Sequence, residues 1–364
     1  MWKIRAVTLA RRFVVRTSKD RRSFAAKTAP LDPFVLAVAP NGARLRYKDN
    51  PFVPLNNEEL AKSARLCEAS GATAMHFHVR DDEGRHTLDP ERVRGALKAM
   101  RSAVGPRMCF QMSTESAGRY TATEQLDAVR EAHPEAASVA VREVASSDEN
   151  ADRLGDFVRW ADAEGIGLQY ILYNPDDVDR LRALRDANVV PSAKPLSVLF
   201  ALRRAPWGAP RLYELLEMLA VAGVTVGPAI PRFLEESGAP GDPRDFTEKM
   251  LQDWRERFEA AQESRAGAES LFSVQGSSFM ACGFGPLDTL FLRMLWSLGG
   301  HARVGLENNV TLAGMMDQPV GNPALVAASR KILQEWTEQG ATVRREWGDI
   351  RTARRVLGRP TGAR

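Results

Sequence analysis

Five histidines occur in the 364 residues, and two of them, His76 and His78, are separated by one residue in the run Ala74-Met-His-Phe-His-Val-Arg-Asp81. A β-strand alternates its side chains between two faces, so this run puts His76, His78 and Arg80 on one face and Met75, Phe77 and Val79 on the other. Two imidazoles about 7 Å apart along a strand can converge on one metal ion. A surface strand with solvated histidines has the same pattern, so the spacing alone leaves both readings open. A second group stands far away in the chain. In Ala302-Arg-Val-Gly-Leu-Glu307, the residues Arg303, Gly305 and Glu307 share a parity, and Val304 and Leu306 take the opposite face. By itself Glu307 could equally be the ion-pair partner of Arg303.

What brings such groups together is a matter of the elements around them. The apolar run Phe34–Ala39 is the mark of a strand buried on both faces. Further strand candidates begin near residues 73, 107, 137, 167, 195, 272 and 302, the seventh being Phe272-Ser-Val-Gln275. Between them the spacing predicts helices over 56–70, 89–104, 121–133, 150–164, 177–187, 212–222 and 287–298. Asn56 or Asn57, Asp89 followed by Pro90, and Thr121 or Thr123 are their N-cap candidates. Strands alternating with helices at a period of about 30 residues imply right-handed βα units and a parallel sheet. Eight such units predict an α/β fold of the closed (β/α)8 TIM-barrel type, the open doubly wound sheet being the alternative. Residues 223–268, with a charged helix over 245–268, then form a helical insertion between strands 6 and 7.

A barrel keeps its chemistry at the C-terminal ends of its strands. There Glu307, after the last strand, and His76 and His78, on the second, can meet as a set of two imidazoles and one carboxylate with open positions. That set suits Zn2+ acting as a Lewis acid on a carbonyl oxygen.

Composition bounds the partners. Nine of the 50 Lys and Arg but one of the 46 Asp and Glu lie in residues 1–30, leaving 41 basic and 45 acidic groups in the rest. The body is therefore mildly acidic, and the overall charge of +4 is no argument for nucleic-acid binding. Residues 1–30 read as a basic, disordered leader of transit-peptide composition, and residues 31–364 as one barrel domain. No apolar run approaches the roughly 18 residues that suggest a membrane span. Cys67, Cys109 and Cys282, scattered and without a Cys-x-x-Cys pair, point to a reducing compartment, the cytoplasm.

Four segments resemble the β-keto acid cleavage enzymes: Ala39-Pro-Asn-Gly-Ala43; His76-Phe-His-Val-Arg-Asp81 followed by Gly84; Tyr170-Ile-Leu-Tyr-Asn174; and Gly299-Gly-His-Ala-Arg-Val-Gly-Leu-Glu-Asn308. The resemblance spans roughly residues 33 to 358. It implies a zinc-dependent (β/α)8 acyltransferase, usually a homotetramer. Such an enzyme condenses a β-keto acid with acetyl-CoA and cleaves the adduct by a retro-Claisen step to acetoacetate and a new acyl-CoA. On the matching positions His76, His78 and Glu307 are the metal ligands, Arg303 the catalytic arginine and Ser113 a contact to the substrate carboxylate. Arg80 and Gln169 are further substrate contacts.

Two departures stand out. Where the family follows its ligand glutamate with an aspartate that works with the arginine in proton transfer, this chain has Asn308, and a neutral amide is no base. The loop Ser113-Thr-Glu-Ser116 replaces a glycine-rich turn. Arg303, Glu143 and position 308 are then the catalytic candidates, with Glu115 or Glu143 as the relocated base. Two other readings stay open: a metal-dependent aldolase or hydrolase on the same barrel, and a metal-binding homologue weakened by Asn308.

Overall fold

A computed structural model describes residues 31–202, 210–224, 269–283, 288–309, 319–341 and 343–360, together with Glu256 and Ala260. The chain divides into two compact units, Met1–Asp32 and Pro33–Arg364. The basic leader 1–30, and the 223–268 insertion apart from residues 223, 224, 256 and 260, lie outside the described residues.

In the second unit eight parallel strands close into a barrel: β1 (Leu36–Val38), β2 (Ala74–Phe77), β5 (Cys109–Ser113), β6 (Ala136–Ala140), β7 (Gly167–Leu172), β8 (Ser197–Ala201), β9 (Ser278–Cys282) and β10 (His301–Val304). The ring closes where β1 pairs with β10, Ala37 opposite Arg303, and with β2, Val38 opposite Met75. Two short strands, β3 (Val79–Arg80) and β4 (His86–Thr87), form a separate antiparallel pair.

Helices α1 (Asn57–Ala69), α2 (Pro90–Val104), α3 (Ala122–Ala132), α4 (Val141–Val144), α5 (Asp148–Ala163), α6 (Pro175–Asp186), α7 (Pro210–Val221), α8 (Asp288–Leu298), α9 (Asn322–Glu338) and α10 (Ile350–Val356), with a 3-10 turn at Gly105–Arg107, complete the described elements. Their starts are chemically marked. The Asn56 side chain accepts from the Glu59 amide, and Asp89 accepts from the amides of Glu91 and Arg92 ahead of Pro90. Thr121 and Glu124 form a reciprocal capping box.

Strand parity separates two cores. Outward residues such as Met75, Phe77, Phe110, Met112, Val139, Leu172 and Phe200 pack beneath the helices. The barrel interior holds small and mid-sized side chains, among them Ala37, Ala74, Cys109, Ala136, Leu199 and Met280, closed by Ala353, Val356 and Leu357 of α10 and its end. The Val356 carbonyl accepts from the hydroxyls of Ser197 and Ser278, the first residues of β8 and β9, so α10 seals the N-terminal end of the barrel. The other end is left for chemistry.

The sequence places the seventh strand at Phe272–Gln275; those residues are a turn, and the strand is Ser278–Cys282. Phe272-Ser-Val has the stronger β-propensity, but Ser278-Phe-Met-Ala-Cys282 is buried at every position, with Met280 and Cys282 turned to the interior and Phe279 and Ala281 outward.

Candidate active site

A cavity of about 450 Å3 opens at the C-terminal end of the barrel, lined by His76, Ser113, Arg142, Glu143, Tyr173, Arg303 and Glu307 among others. His76 comes from β2, Ser113 ends β5, Glu143 sits in α4 just beyond β6, and Arg303 lies in β10.

Three ligand atoms, one each from His76, His78 and Glu307, lie within 4.8 Å of one another. Glu307 Oε2 stands 3.7 Å from His76 Nε2 and 3.5 Å from His78 Nε2, and the two Nε2 atoms are 3.2 Å apart. Burial pushes the His76 imidazole down to about 3, against the opposing pull of Glu307, so at neutral pH it is an uncharged ligand. For Glu307 burial works upward, but Arg303, then His76 and His78, outweigh it and hold the carboxyl well below its usual range. Glu307 Oε2 is buried without a hydrogen-bond partner among the described residues. A neutral His76 imidazole and an ionised Glu307 carboxylate with an orphaned oxygen, beside the second imidazole of His78, are a donor set that fits a divalent cation.

The positions of these groups trace to particular residues. Asn41, fully buried, accepts from the His78 amide at 3.1 Å and donates to the His78 carbonyl at 2.8 Å. A side chain thus takes both backbone groups of His78, and β2 stops at Phe77. Glu307 is set by a turn at Gly305 with φ +125°, after which the Glu307 amide donates to the Ala39 carbonyl at 3.1 Å. A Cβ at Gly305 would come 2.4 Å from the Ala39 oxygen, and one at Gly42 2.7 Å from Glu307 Cγ. Gly305→Ala is therefore expected to destabilise by more than the roughly 1–3 kcal/mol of backbone strain alone and to weaken metal binding with it. A thermal melt and a metal titration at wild-type stability or affinity would count against this account of the turn.

Arg303 donates to Glu307 Oε1 at 2.9 Å and to the Cys282 thiol at 3.3 Å. Burial works against its charge, Cys282 and Glu307 more than compensate, and the guanidinium's pKa ends above its ordinary value. Among the described residues its Nε and Nη1 have no partner. Ser113 Oγ accepts from the Glu115 amide at 3.2 Å. Glu115 itself is tied to Arg44 at 2.6 Å. Glu143 accepts from the Ser116 hydroxyl at 2.9 Å and the Ser116 amide at 3.0 Å, not from an arginine; Arg142 instead pairs with Asp177 at 2.8 Å. Burial raises the Glu143 pKa, the Ser116 bonds oppose it, and Glu115 adds to the rise.

Three candidates are not among the residues that line the cavity. Arg80 does not continue β2: Asn41 ends that strand, Arg80 pairs with His86 in the β3–β4 hairpin, and its guanidinium donates to the Gly42 carbonyl. Gln169 is buried inside the barrel, accepting from Gln111 at 3.2 Å and donating to Ser197 at 3.2 Å. Asn308 is 1% exposed; its amide lies beside the Cys282 thiol and, among the described residues, makes no hydrogen bond of good geometry.

Sequence reasoning passed over Asn41, Gln111 and His86. Asn41 lies in a conspicuous Pro-Asn-Gly turn, and Gln111 has inward parity on a strand that had been recognised. His86, one residue past a polar turn, carries no spacing signal.

A (β/α)8 barrel with a cluster of two imidazoles and a carboxylate, and a buried arginine beside it in the cavity lining, defines an enzyme of carbonyl chemistry. Residues 33–233 and 237–351 match the beta-keto acid cleavage enzyme family, and the chain belongs to that family. It is 24% identical over 333 residues to the 3-oxoadipate:acetyl-CoA acetyltransferase of Cupriavidus necator, covering 90% of this chain and 96% of that protein. A shorter match, 36% identical over 109 residues, joins it to the 3-keto-5-aminohexanoate cleavage enzyme of Fusobacterium nucleatum, across 30% of this chain and 39% of that one. Among solved structures, apo ObcA superposes with a TM-score of 0.58 at 16% identity. The match covers 85% of this chain but about two thirds of the other, 66%, and carries the fold alone.

Proposed function

We propose that the protein exchanges a β-keto acid with acetyl-CoA, giving acetoacetate and the acyl-CoA of the remaining chain, in a homo-oligomer of the reducing cytoplasm. The single observation that carries this is the convergence of three ligand atoms within 4.8 Å beside a guanidinium with two unpartnered nitrogens. The acetyl-CoA part rests on family membership and on the Cupriavidus relative named for it. The three buried, unpaired thiols accord with the compartment, and a tetramer follows from the family resemblance. The reaction balances as R-CO-CH2-COO⁻ plus CH3-CO-SCoA giving R-CO-SCoA plus CH3-CO-CH2-COO⁻.

His76, His78 and Glu307 would hold a zinc ion, which when bound supplies Lewis-acid polarisation of a keto oxygen. Arg303, fixed by Glu307, offers Nε and Nη1 to the substrate carboxylate. The Ser113 hydroxyl at the cavity wall is a second contact for that group. Glu143 is the proton acceptor: it lines the cavity, and its raised pKa brings it toward the range where a base is effective near neutral pH. Glu115, paired with Arg44, is the weaker candidate for that role.

Incubation of the protein with acetyl-CoA and a panel of β-keto acids is expected to yield acetoacetate and a new CoA thioester in equal amounts, read by mass spectrometry. Turnover that persists without acetyl-CoA would mean an aldolase or hydrolase instead. Arg303→Ala is expected to keep its metal but lose about 10²-fold or more in kcat/KM, the usual share of one buried electrostatic contact. A collapsed melting temperature in that variant would assign Arg303 to folding through its pair with Glu307.

A further inference from the structure

Both imidazoles of the candidate metal site carry a second hydrogen bond, on Nδ1, and each bond leads to a backbone carbonyl. From His76, Nδ1 lies 2.9 Å from Gln111 Oε1. Gln111 Nε2 donates to Gln169 Oε1 at 3.2 Å, and Gln169 Nε2 donates to Ser197 Oγ at 3.2 Å and to the Val356 carbonyl at 3.4 Å. From His78, Nδ1 lies 3.4 Å from His86 Nδ1, and His86 Nε2 lies 2.8 Å from the Glu115 carbonyl. Every group here is buried: His76, His86, Gln111 and Gln169 are 3% exposed or less.

A carbonyl oxygen can only accept, and that fixes the direction of both chains. At Val356 it forces the Gln169 amide nitrogen toward the carbonyl. Gln169 Oε1 then faces Gln111 Nε2, Gln111 Oε1 faces His76, and His76 Nδ1 must carry the hydrogen. At Glu115 it forces His86 into the Nε2–H form. Only one hydrogen fits between His86 Nδ1 and His78 Nδ1 at 3.4 Å, and with His78 Nε2 turned toward Glu307 as the ligating atom that hydrogen sits on His78 Nδ1, where His86 Nδ1 accepts it. Each ligand imidazole is left with its lone pair on Nε2, the atom that faces Glu307.

We infer that His86 is a positioning residue for the metal site: anchored on the Glu115 carbonyl, it holds His78 in the Nδ1–H tautomer, as Gln169 and Gln111 hold His76 from the Val356 carbonyl. Without its partner His78 divides between two tautomers and two ring orientations, one of which turns a hydrogen toward the metal. The inference rests on the reading of His76, His78 and Glu307 as a metal site and goes beyond it in naming what prepares the ligands before metal arrives. Gln169, away from the substrate cavity, acquires its role here.

The experiment measures Zn2+ affinity against a competing chelator for wild type, His86→Leu and His86→Gln. Loss of an outer-shell partner typically weakens metal binding about 10–100-fold, and that is the loss expected for His86→Leu. A glutamine amide can accept from His78 and donate to the Glu115 carbonyl, so His86→Gln is expected to return to within about threefold of wild type. A merely space-filling role for His86 predicts the reverse order of the two variants. In the metal-free wild type, long-range 1H–15N spectra of the imidazoles should show Nδ1–H for His78 and Nε2–H for His86. Wild-type affinity in His86→Leu, or the opposite tautomer at either ring, overturns the proposal, and the spectrum decides it even where His86→Leu does not fold. Wild-type protein that takes up no zinc would refute the metal-site reading itself, leaving the tautomers to be read separately.

Discussion

His76→Ala and His78→Ala proteins are expected to keep their fold but to hold far less than the roughly one divalent ion per chain expected of the wild type, and to lose β-keto acid cleavage with it. Three ligands are the minimum set for such a site, and removing either imidazole leaves Glu307 Oε2, already orphaned, facing a single imidazole. The fold is spared because each ring touches few other groups: Gln111 on one side, His86 on the other. Elemental analysis of dialysed protein alongside a thermal melt reads both halves of the expectation. Full metal occupancy in the double variant His76→Ala/His78→Ala would sink the site, and loss of the cooperative melt would show that the imidazoles are needed by the barrel. Zinc is the ion to look for first, since two imidazoles and one carboxylate form a ligand set it takes in catalytic sites.

That cluster was legible in the sequence because its chemistry and its geometry share a period. Alternation puts His76 on the inward face, and Arg303 shares that face on β10; the βα rhythm brings both strands to the seam where β1 joins them. Failures came where a side chain replaced backbone pairing. The His76-x-His78-x-Arg80 pattern extends smoothly as a strand, but Asn41 occupies the amide and carbonyl of His78. The register beyond it belongs to the hairpin with His86–Thr87, and Arg80 leaves the barrel. No local property of residues 76–80 could have revealed a competitor 37 positions upstream. The seventh strand failed for a different reason. Strands buried on both faces do not alternate, so propensity decides by default, and Ser278-Phe-Met-Ala-Cys282 has little. Helices α9 and α10, by contrast, were readable and went unread: Pro323 opens a run with Leu325, Val326, Ser329, Leu333 and Trp336 on one buried face.

Glu143→Gln is expected to lower kcat by about 10²–10⁴-fold, the usual share of a positioned base, while leaving metal content unchanged. Asn308 is the other candidate position, and the structure gives the two unequal surroundings. Asn308 is 1% exposed, beside the Cys282 thiol, and is not among the residues lining the cavity. Glu143 lines the cavity, oriented by the hydroxyl and amide of Ser116. Asn308→Asp therefore should not restore a base. It would bury a second carboxylate next to Glu307 with only the weak Cys282 thiol beside it among the described residues, and the like-charge repulsion would fall on Glu307. Its expected result is unchanged or reduced kcat together with a lowered melting temperature. The pH dependence adds an independent sign. A base works ionised, and burial raises the Glu143 pKa, so kcat/KM should rise with pH through an acid limb above the ordinary glutamate range. That limb should vanish in Glu143→Gln. If Asn308→Asp instead raises kcat by an order of magnitude and Glu143→Gln leaves it alone, the proton acceptor belongs at position 308 after all, and the native protein is a slow member of its family for want of one oxygen.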